Sequence, residues 1–255
     1  MGPAEVEADC ALSQLIAIAA HELRYPLVPI RRAAALLEHD LVDAATIRRA
    51  AGIIERQANG MNRLIGDLIE VSRMQRGVME MRCIRAPLSD LLECAAESAE
   101  PLASERGHTV SVSTPQEPVY LQMDVLRLSQ ALLNIIANAT KYTDRRGHIA
   151  VRAHREGTQA IVIVTDTGIG IPPQDLETIF GLFAKSSQGR RIDQGPGIGL
   201  YLARQFIEAH GGTVTAASAG IGCGSEFTVR LPCEASTAPS PSTDVEALRD
   251  DPIPV

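Results

Sequence analysis

Tryptophan is absent from this sequence of 255 residues, and aromatic side chains make up only 3% of it. Any core must therefore be aliphatic, built from Leu, Ile, Val and Ala. Cysteine is scarce as well: Cys10, Cys83, Cys94, Cys223 and Cys233 are scattered, and none forms a CxxC pair. An odd, dispersed set is no disulfide framework and points to a reduced, cytoplasmic home. No apolar run approaches the ~18 residues of a membrane span. The first ten residues lack the basic start and apolar block of a signal peptide. The net charge of −7 leaves no overall positive excess for a phosphate backbone, so no nucleic-acid partner is expected.

What is present is ordinary globular material, 45% apolar and 22% charged. Residues 1–10 are polar and acidic and read as a loose, disordered start. Ile16, Leu23, Ile30 and Leu37 then recur every seven residues, with Ala19, Pro26 and Ala33 three places after the first three. That is an a/d heptad seam. A second seam has Ile47, Ile54, Met61 and Leu68 at a, and Ala50, Gln57, Leu64 and Val71 at d. The joint is "EHDLVDA", 38–44, where Asp43 suits a helix N-cap. Two helices with narrow seams cannot enclose a core alone. The stretch 11–76 therefore reads as a hairpin that pairs with a second copy into a four-helix bundle.

After Gly77 the period changes. Strand-like runs fall at 79–84, 108–113, 118–121, 148–154, 160–165, 213–218 and 226–231, and helical runs at about 88–105, 124–142, 173–180 and 198–210. The mixture predicts an α/β sandwich over 77–232, and an α+β chain overall. The Pro-, Ser- and acid-rich end, 233–255, reads as disordered tail or linker.

The chemistry begins with "HELRYPL", 21–27. With a at 16 and 23, His21 falls at f and faces water rather than the seam. Arg24 and Tyr25, three and four residues on, share its face. A fixed cation there can neutralise a phosphate arriving on the ring. Glu22 can swing to accept the Nδ1 proton, leaving Nε2 with a free lone pair, and a neutral imidazole is a good nucleophile. Pro26 predicts a kink just past the histidine. An exposed histidine with no role is the competing reading.

Such a nucleophile needs a donor. In "NIIANATKYT", 134–143, Asn134, Asn138, Lys141 and Tyr142 share a helix face. Two stacked amides offer carbonyl oxygens to a hard cation such as Mg²⁺, and Lys141 suits phosphate; a merely solvated polar face is the alternative. "DTGIGI", 166–171, follows an apolar strand. It places the Asp166 carboxylate at a strand end, able to accept from an adenine amino group. Gly168 and Gly170 free the backbone to approach a ligand; a tight turn with a capping Asp reads equally. "GPGIGL", 195–200, feeds Gly195, Gly197 and Gly199 into a helix start, which favours phosphate. Its G-x-G-x-G spacing, after a polar stretch instead of a strand, is not a dinucleotide fingerprint. The stretch 185–194 suits either a surface loop or a mobile lid with Lys185, Arg190 and Arg191 at the phosphates.

In this order the elements resemble a bacterial sensor histidine kinase over roughly residues 11–232. "HELRYPL" resembles the family's H box, "NIIANATKYT" its N box, "DTGIGI" its G1 box, "IFGLF" (179–183) its F box and "GPGIGL" its G2 box. "GIGCGSEF", 220–227, is similar to the last glycine motif before the closing strand. The resemblance implies a homodimerising phosphoacceptor hairpin followed by a Bergerat-type ATP-binding domain. It implies autophosphorylation of His21 with Glu22 as acid/base neighbour, ATP and Mg²⁺ as cofactors, and transfer to an aspartate of a response regulator. It assigns Asn138, supported by Asn134, to the metal, Lys141 and Tyr142 to the phosphates, and Asp166, Gly168 and Gly170 to the adenine pocket. It gives Gly195, Gly197 and Gly199 to the hinge and phosphate side of the lid. Where the family usually carries Thr or Asn, four residues past the histidine, this sequence has Tyr25, which implies weak or absent phosphatase activity towards the partner. No sensor domain is visible, so a separate sensor domain or protein is expected to supply the signal. The rival readings are another Bergerat ATPase, of gyrase, mismatch-repair or heat-shock type, and a nucleotide-binding dimeric scaffold without phosphotransfer.

Overall fold

A computed structural model describes residues 3–38, 43–184 and 197–234, with side chains from residue 19 onward. Two long helices come first, α1 (Pro3–Leu37) and α2 (Ala44–Gln75). Residues 3–10, polar enough to be expected loose, belong to α1. So do Pro26 and Pro29: the helix runs through both. Asp43 caps α2, its carboxylate accepting from the Thr46 amide at 2.6 Å. This satisfies one of the donors that a helix start leaves orphaned. Ala33, Ala50, Leu64 and Val71 of the two seams are buried, whereas Leu37 and Ile47, next to the joint between the helices, are exposed.

The rest is a mixed sheet covered by helices. After β1 (Ile84–Pro87) come α3 (Leu88–Arg106), β2 (Thr109–Ser113), β3 (Tyr120–Met123) and α4 (Val125–Tyr142). Then follow β4 (His148–Glu156), β5 (Gln159–Asp166), α5 (Gly199–Ala209), β6 (Thr213–Ala217) and β7 (Ser225–Pro232). The main sheet has the order β2-β4-β5-β7-β6, with β2 parallel to β4 and every other pair antiparallel. β1 and β3 form a separate antiparallel ribbon. α4 is amphipathic: Leu128, Leu132, Ile135, Ile136 and Ala139 are buried and join one core with Val151, Val162 and Val164 of the sheet and Phe206 of α5.

Two expected elements differ. The run 79–84 is not a strand until Ile84, because pairing begins only where β3 lies opposite, at Ile84↔Met123. Ahead of it the Arg82 amide bonds instead to the Asp124 carboxylate at 3.0 Å. The helix expected over 173–180 is two 3₁₀ turns, Pro173–Asp175 and Thr178–Phe180. Pro172 and Pro173 open this stretch and Gly181 closes it, which leaves too few residues to propagate an α-helix.

α2 is seated on the sheet domain. Leu64 and the wholly buried Val71 belong to the same core as α4 and α5. Beside them Glu70 pairs with Arg127 of α4, both side chains only 15% exposed. The Arg127 guanidinium also lies over the Phe206 ring, 5.2 Å from its centroid.

Candidate functional site

A cleft of about 960 Å³ opens between the hairpin and the sheet domain. From the sheet domain it is lined by Asn134, Asn138, Lys141, Tyr142, Asp166, Gly170, Gly197 and Gly199. From the hairpin come Glu22, Tyr25, Pro26 and Asp67, among others. Residues scattered over the sequence thus meet because α4, the end of β5 and the start of α5 converge at one end of the sheet, where α1 and α2 face them.

The floor is built by close backbone approach. Asp166 ends β5, and its Oδ1 accepts from the Gly168 amide at 2.8 Å while its Oδ2 accepts from the Ser225 hydroxyl. A side chain at Gly168 would put Cβ 2.4 Å from the Tyr142 carbonyl oxygen. Gly170 has φ +72°, and a Cβ there would stand 2.0 Å from the Gly220 oxygen. Glycine is required at both by contact, and at Gly170 by conformation too. The loop is tied to the helix by the Ile169 amide, which donates to the Tyr142 carbonyl at 3.1 Å.

Asn134 and Asn138 lie one turn apart on α4, and both line the cleft. The Asn134 amide nitrogen donates to the Gly199 carbonyl at 3.1 Å, fixing the start of α5. Lys141 places its ammonium 4.7 Å from the Tyr142 ring centroid. Gly197 (φ +71°) closes on the preceding turn: its carbonyl accepts from the Phe183 amide at 2.9 Å, and a Cβ would lie 2.5 Å from the Ala184 oxygen. In "IFGLF", Phe180 is buried edge-on against Phe227, at 6.2 Å between ring centroids. Lys185, Arg190, Arg191 and Gly195 lie outside the described residues.

His21 stands on α1 with 60% of its side chain exposed, as the heptad register requires of position f. Its Nδ1 is 3.7 Å from Glu22 Oε1, within ion-pair reach but beyond a hydrogen bond. Tyr25 stands edge-on to the imidazole, 5.0 Å between centroids. Glu22 and Tyr25 line the cleft; His21, Arg24 and Gly168 do not, and Arg24 is exposed.

Two residues at the site, Ser225 and Asp67, carry no strong signal in the sequence. Ser225 sits inside the last glycine motif, the one signal that could have found it. Asp67 lies among the α2 side chains facing the cleft, where burial pushes its carboxyl from 3.8 up to about 6. Arg63 counters that rise and Glu70 adds to it.

The arrangement fits a magnesium nucleotide. Asp166 still has lone pairs for an exocyclic amine after its two contacts. The glycines admit a flat base, and Lys141 suits an anion. No cluster of three His, Cys, Asp or Glu that could cage a metal occurs among the described residues. Mg²⁺ does not need one, since it is commonly held by few protein oxygens plus water and substrate phosphates.

Residues 11–77 match the "His Kinase A (phospho-acceptor) domain" family, and residues 123–235 match the "Histidine kinase-, DNA gyrase B-, and HSP90-like ATPase" family. The chain is 32% identical over 235 residues to hybrid signal transduction histidine kinase D of Dictyostelium discoideum, covering 89% of this chain and 15% of that protein. It is 31% identical over 238 residues to the sensor protein KdpD of Escherichia coli, covering 93% and 25%. It thus spans a quarter or less of the length of these two relatives. Among solved structures, full-length ShkA in complex with AMPPNP superposes with TM-score 0.60 at 27% identity, covering 89% of this chain and 47% of that one. The fold also matches histidine kinase ThkA, solved with the response regulator protein TrrA, at TM-score 0.65 and 24% identity, covering 89% and 64%. With a phospho-acceptor hairpin and an ATPase domain in that order on one polypeptide, the chain belongs to the sensor histidine kinase family.

Proposed function

We propose that this chain transfers the γ-phosphoryl group of ATP to His21 and then to an aspartate of a response regulator. The observation that carries this reading is the shared cleft. Glu22 and Tyr25, flanking the imidazole on α1, line the same space as Asn138, Lys141 and Asp166. The His21 Nε2 lone pair attacks the γ-phosphorus, the bond to the β–γ bridging oxygen breaks, and ADP leaves. Glu22, on the Nδ1 side, balances the positive charge that develops on the ring while Nδ1 keeps its proton. Asp166 and Gly170 orient the adenine, while Lys141 and Tyr142 face the phosphates. Asn138, with Asn134 behind it, would hold Mg²⁺, which neutralises charge on the phosphates. Acceleration then comes chiefly from positioning and electrostatics, as in other phosphoryl transfers. In the second step the partner's carboxylate attacks phosphorus and the P–N bond breaks, returning neutral imidazole.

The partner assignment draws on ThkA, solved with a response regulator, and the nucleotide assignment on ShkA, solved with AMPPNP. The further division is hairpin 11–76, catalytic domain 77–232 and tail 233–255. The apolar hairpin face pairs with a second copy, and a separate domain or protein supplies the signal. No helix among the described residues is long and apolar enough to cross a membrane.

The test is labelling with γ-³²P-ATP. The wild type acquires acid-labile, alkali-stable label, and His21→Gln acquires none while still binding ATP. Acid-labile label retained by His21→Gln would refute the assignment.

A further inference from the structure

The last four carbonyls of an α-helix have no partner within it. In α4 all four find one, and the partners come from three directions. The Ala139 oxygen accepts from the Thr143 amide at 3.0 Å, within the helix cap. The Tyr142 oxygen accepts from Ile169 of the glycine loop at 3.1 Å. The two between them are taken by residues at the end of α3, which packs on α4. Arg106 Nη1 donates to the Lys141 oxygen at 2.9 Å and to the Thr140 oxygen at 3.3 Å. His108 Nε2 donates to the same Thr140 oxygen at 3.0 Å, and must carry the proton, since a carbonyl only accepts.

The two donors are held in place independently. Gly107, at φ +69°, ends α3 in the left-handed conformation and turns the chain so that residues 106 and 108 both reach α4. The Arg106 carbonyl receives the Arg146 amide at 3.3 Å, and the next strand starts where Thr109 donates to Gly147 at 3.1 Å. His108 is 9% exposed, and its Nδ1 is buried with no hydrogen-bond partner. An apolar side chain of similar size would avoid that cost. What the histidine supplies in exchange is the contact to α4.

We propose that Arg106 and His108 are positioning residues for the nucleotide. By capping the end of α4 they set where Lys141 and Tyr142 stand in the cleft. They also cover carbonyls whose partial negative charge, at the negative end of the helix dipole, would otherwise oppose the polyphosphate. Arg106 itself lines the cleft beside Lys141, so the clamp forms part of its wall. This inference rests on the cleft being the ATP site.

The experiment uses the whole chain with Mg²⁺ and ATP, reading affinity by calorimetry and KM and kcat by autophosphorylation, well below every variant's thermal midpoint. Arg106→Met keeps the aliphatic stem and removes the donors; His108→Leu fills the space without a donor; His108→Gln restores one at similar reach. Hydrogen bonds of charged groups set the scale. Arg106→Met should weaken ATP about tenfold in affinity and KM with kcat changed less than about threefold. His108→Leu should lose about fivefold, and His108→Gln should recover most of it. A folded Arg106→Met or His108→Leu that binds ATP within about twofold of wild type overturns the proposal, even if its midpoint falls. If Arg106→Met does not fold, His108→Leu decides on the same criterion, because it too removes a donor to the Thr140 carbonyl. A wild-type chain that fails to bind ATP would instead sink the functional reading, and this inference with it.

Discussion

The carboxylate of Asp67 makes the sharpest quantitative test of how α2 meets the sheet domain. It is half-buried in the cleft wall, and burial raises its pKa from 3.8 to about 6. Arg63 pulls the other way, and Glu70, three residues on, adds a like charge. Below pH 3.8 the group is protonated both folded and unfolded and costs nothing. As pH rises towards 6 the unfolded chain loses the proton first, so stability falls, and above 6 the cost is complete. The interval from 3.8 to about 6 corresponds to roughly 3 kcal/mol at pH 8. At pH 4.5 the same linkage leaves about 1 kcal/mol. Asp67→Asn keeps the shape and removes the charge. It should therefore be more stable than wild type by up to ~3 kcal/mol at pH 8, with the gap shrinking to ~1 kcal/mol at pH 4.5. Denaturant titrations of both proteins at the two pH values measure it, because comparing them at each pH cancels the titrating groups not coupled to Asp67. A gap that does not change with pH, or a wild type more stable than the variant at pH 8, would refute the reasoning.

Three further outcomes follow from the geometry. Glu70→Gln breaks the pair with Arg127 between α2 and α4. It should cost about 2 kcal/mol, since these ions are partly buried rather than fully so, and should expose the α2 joint to limited proteolysis; unchanged cleavage and stability would count against α2 being held there by charge. Gly170→Ala drives a Cβ into the Gly220 carbonyl at a positive φ. ATP affinity should fall at least about tenfold, at 1.4 kcal/mol per decade, and a calorimetric titration within twofold of wild type would show that the loop yields. Tyr25 fills space beside His21. Tyr25→Asn opens room for a water and should speed dephosphorylation of a phosphorylated response regulator; an unaltered rate would break the link between this side chain and weak phosphatase activity.

Local rules were readable wherever a residue's role is set by its immediate neighbours. Asp43 was legible as a cap because a carboxylate just before a helix meets free amides whatever the rest of the chain does. The exposure of His21 followed from the heptad, since a/d burial fixes the opposite face. The glycines of "DTGIGI" were legible as points of close approach, although the atoms they approach, the carbonyls of Tyr142 and Gly220, were not. The strand near 79–84 was misplaced because a strand starts where its partner does, and β3 lies some forty residues downstream. The run 173–180 reads as helical in the sequence, but two prolines and a glycine leave no length for an α-helix.

The sequence by itself determined that the chain carries a solvent-facing imidazole on a heptad-patterned helix, followed by glycine-rich loops and a helix face bearing two asparagines. Those depend on periodicity and on the conformational freedom of glycine, both properties of short segments. Only the tertiary structure decided which distant side chains meet: Ser225 beneath Asp166, Arg106 and His108 at the end of α4, and Glu70 against Arg127. The physical reason is that a hydrogen bond or a buried charge gains its strength from distance and dielectric. Neither is defined until the chain has folded and water has been excluded.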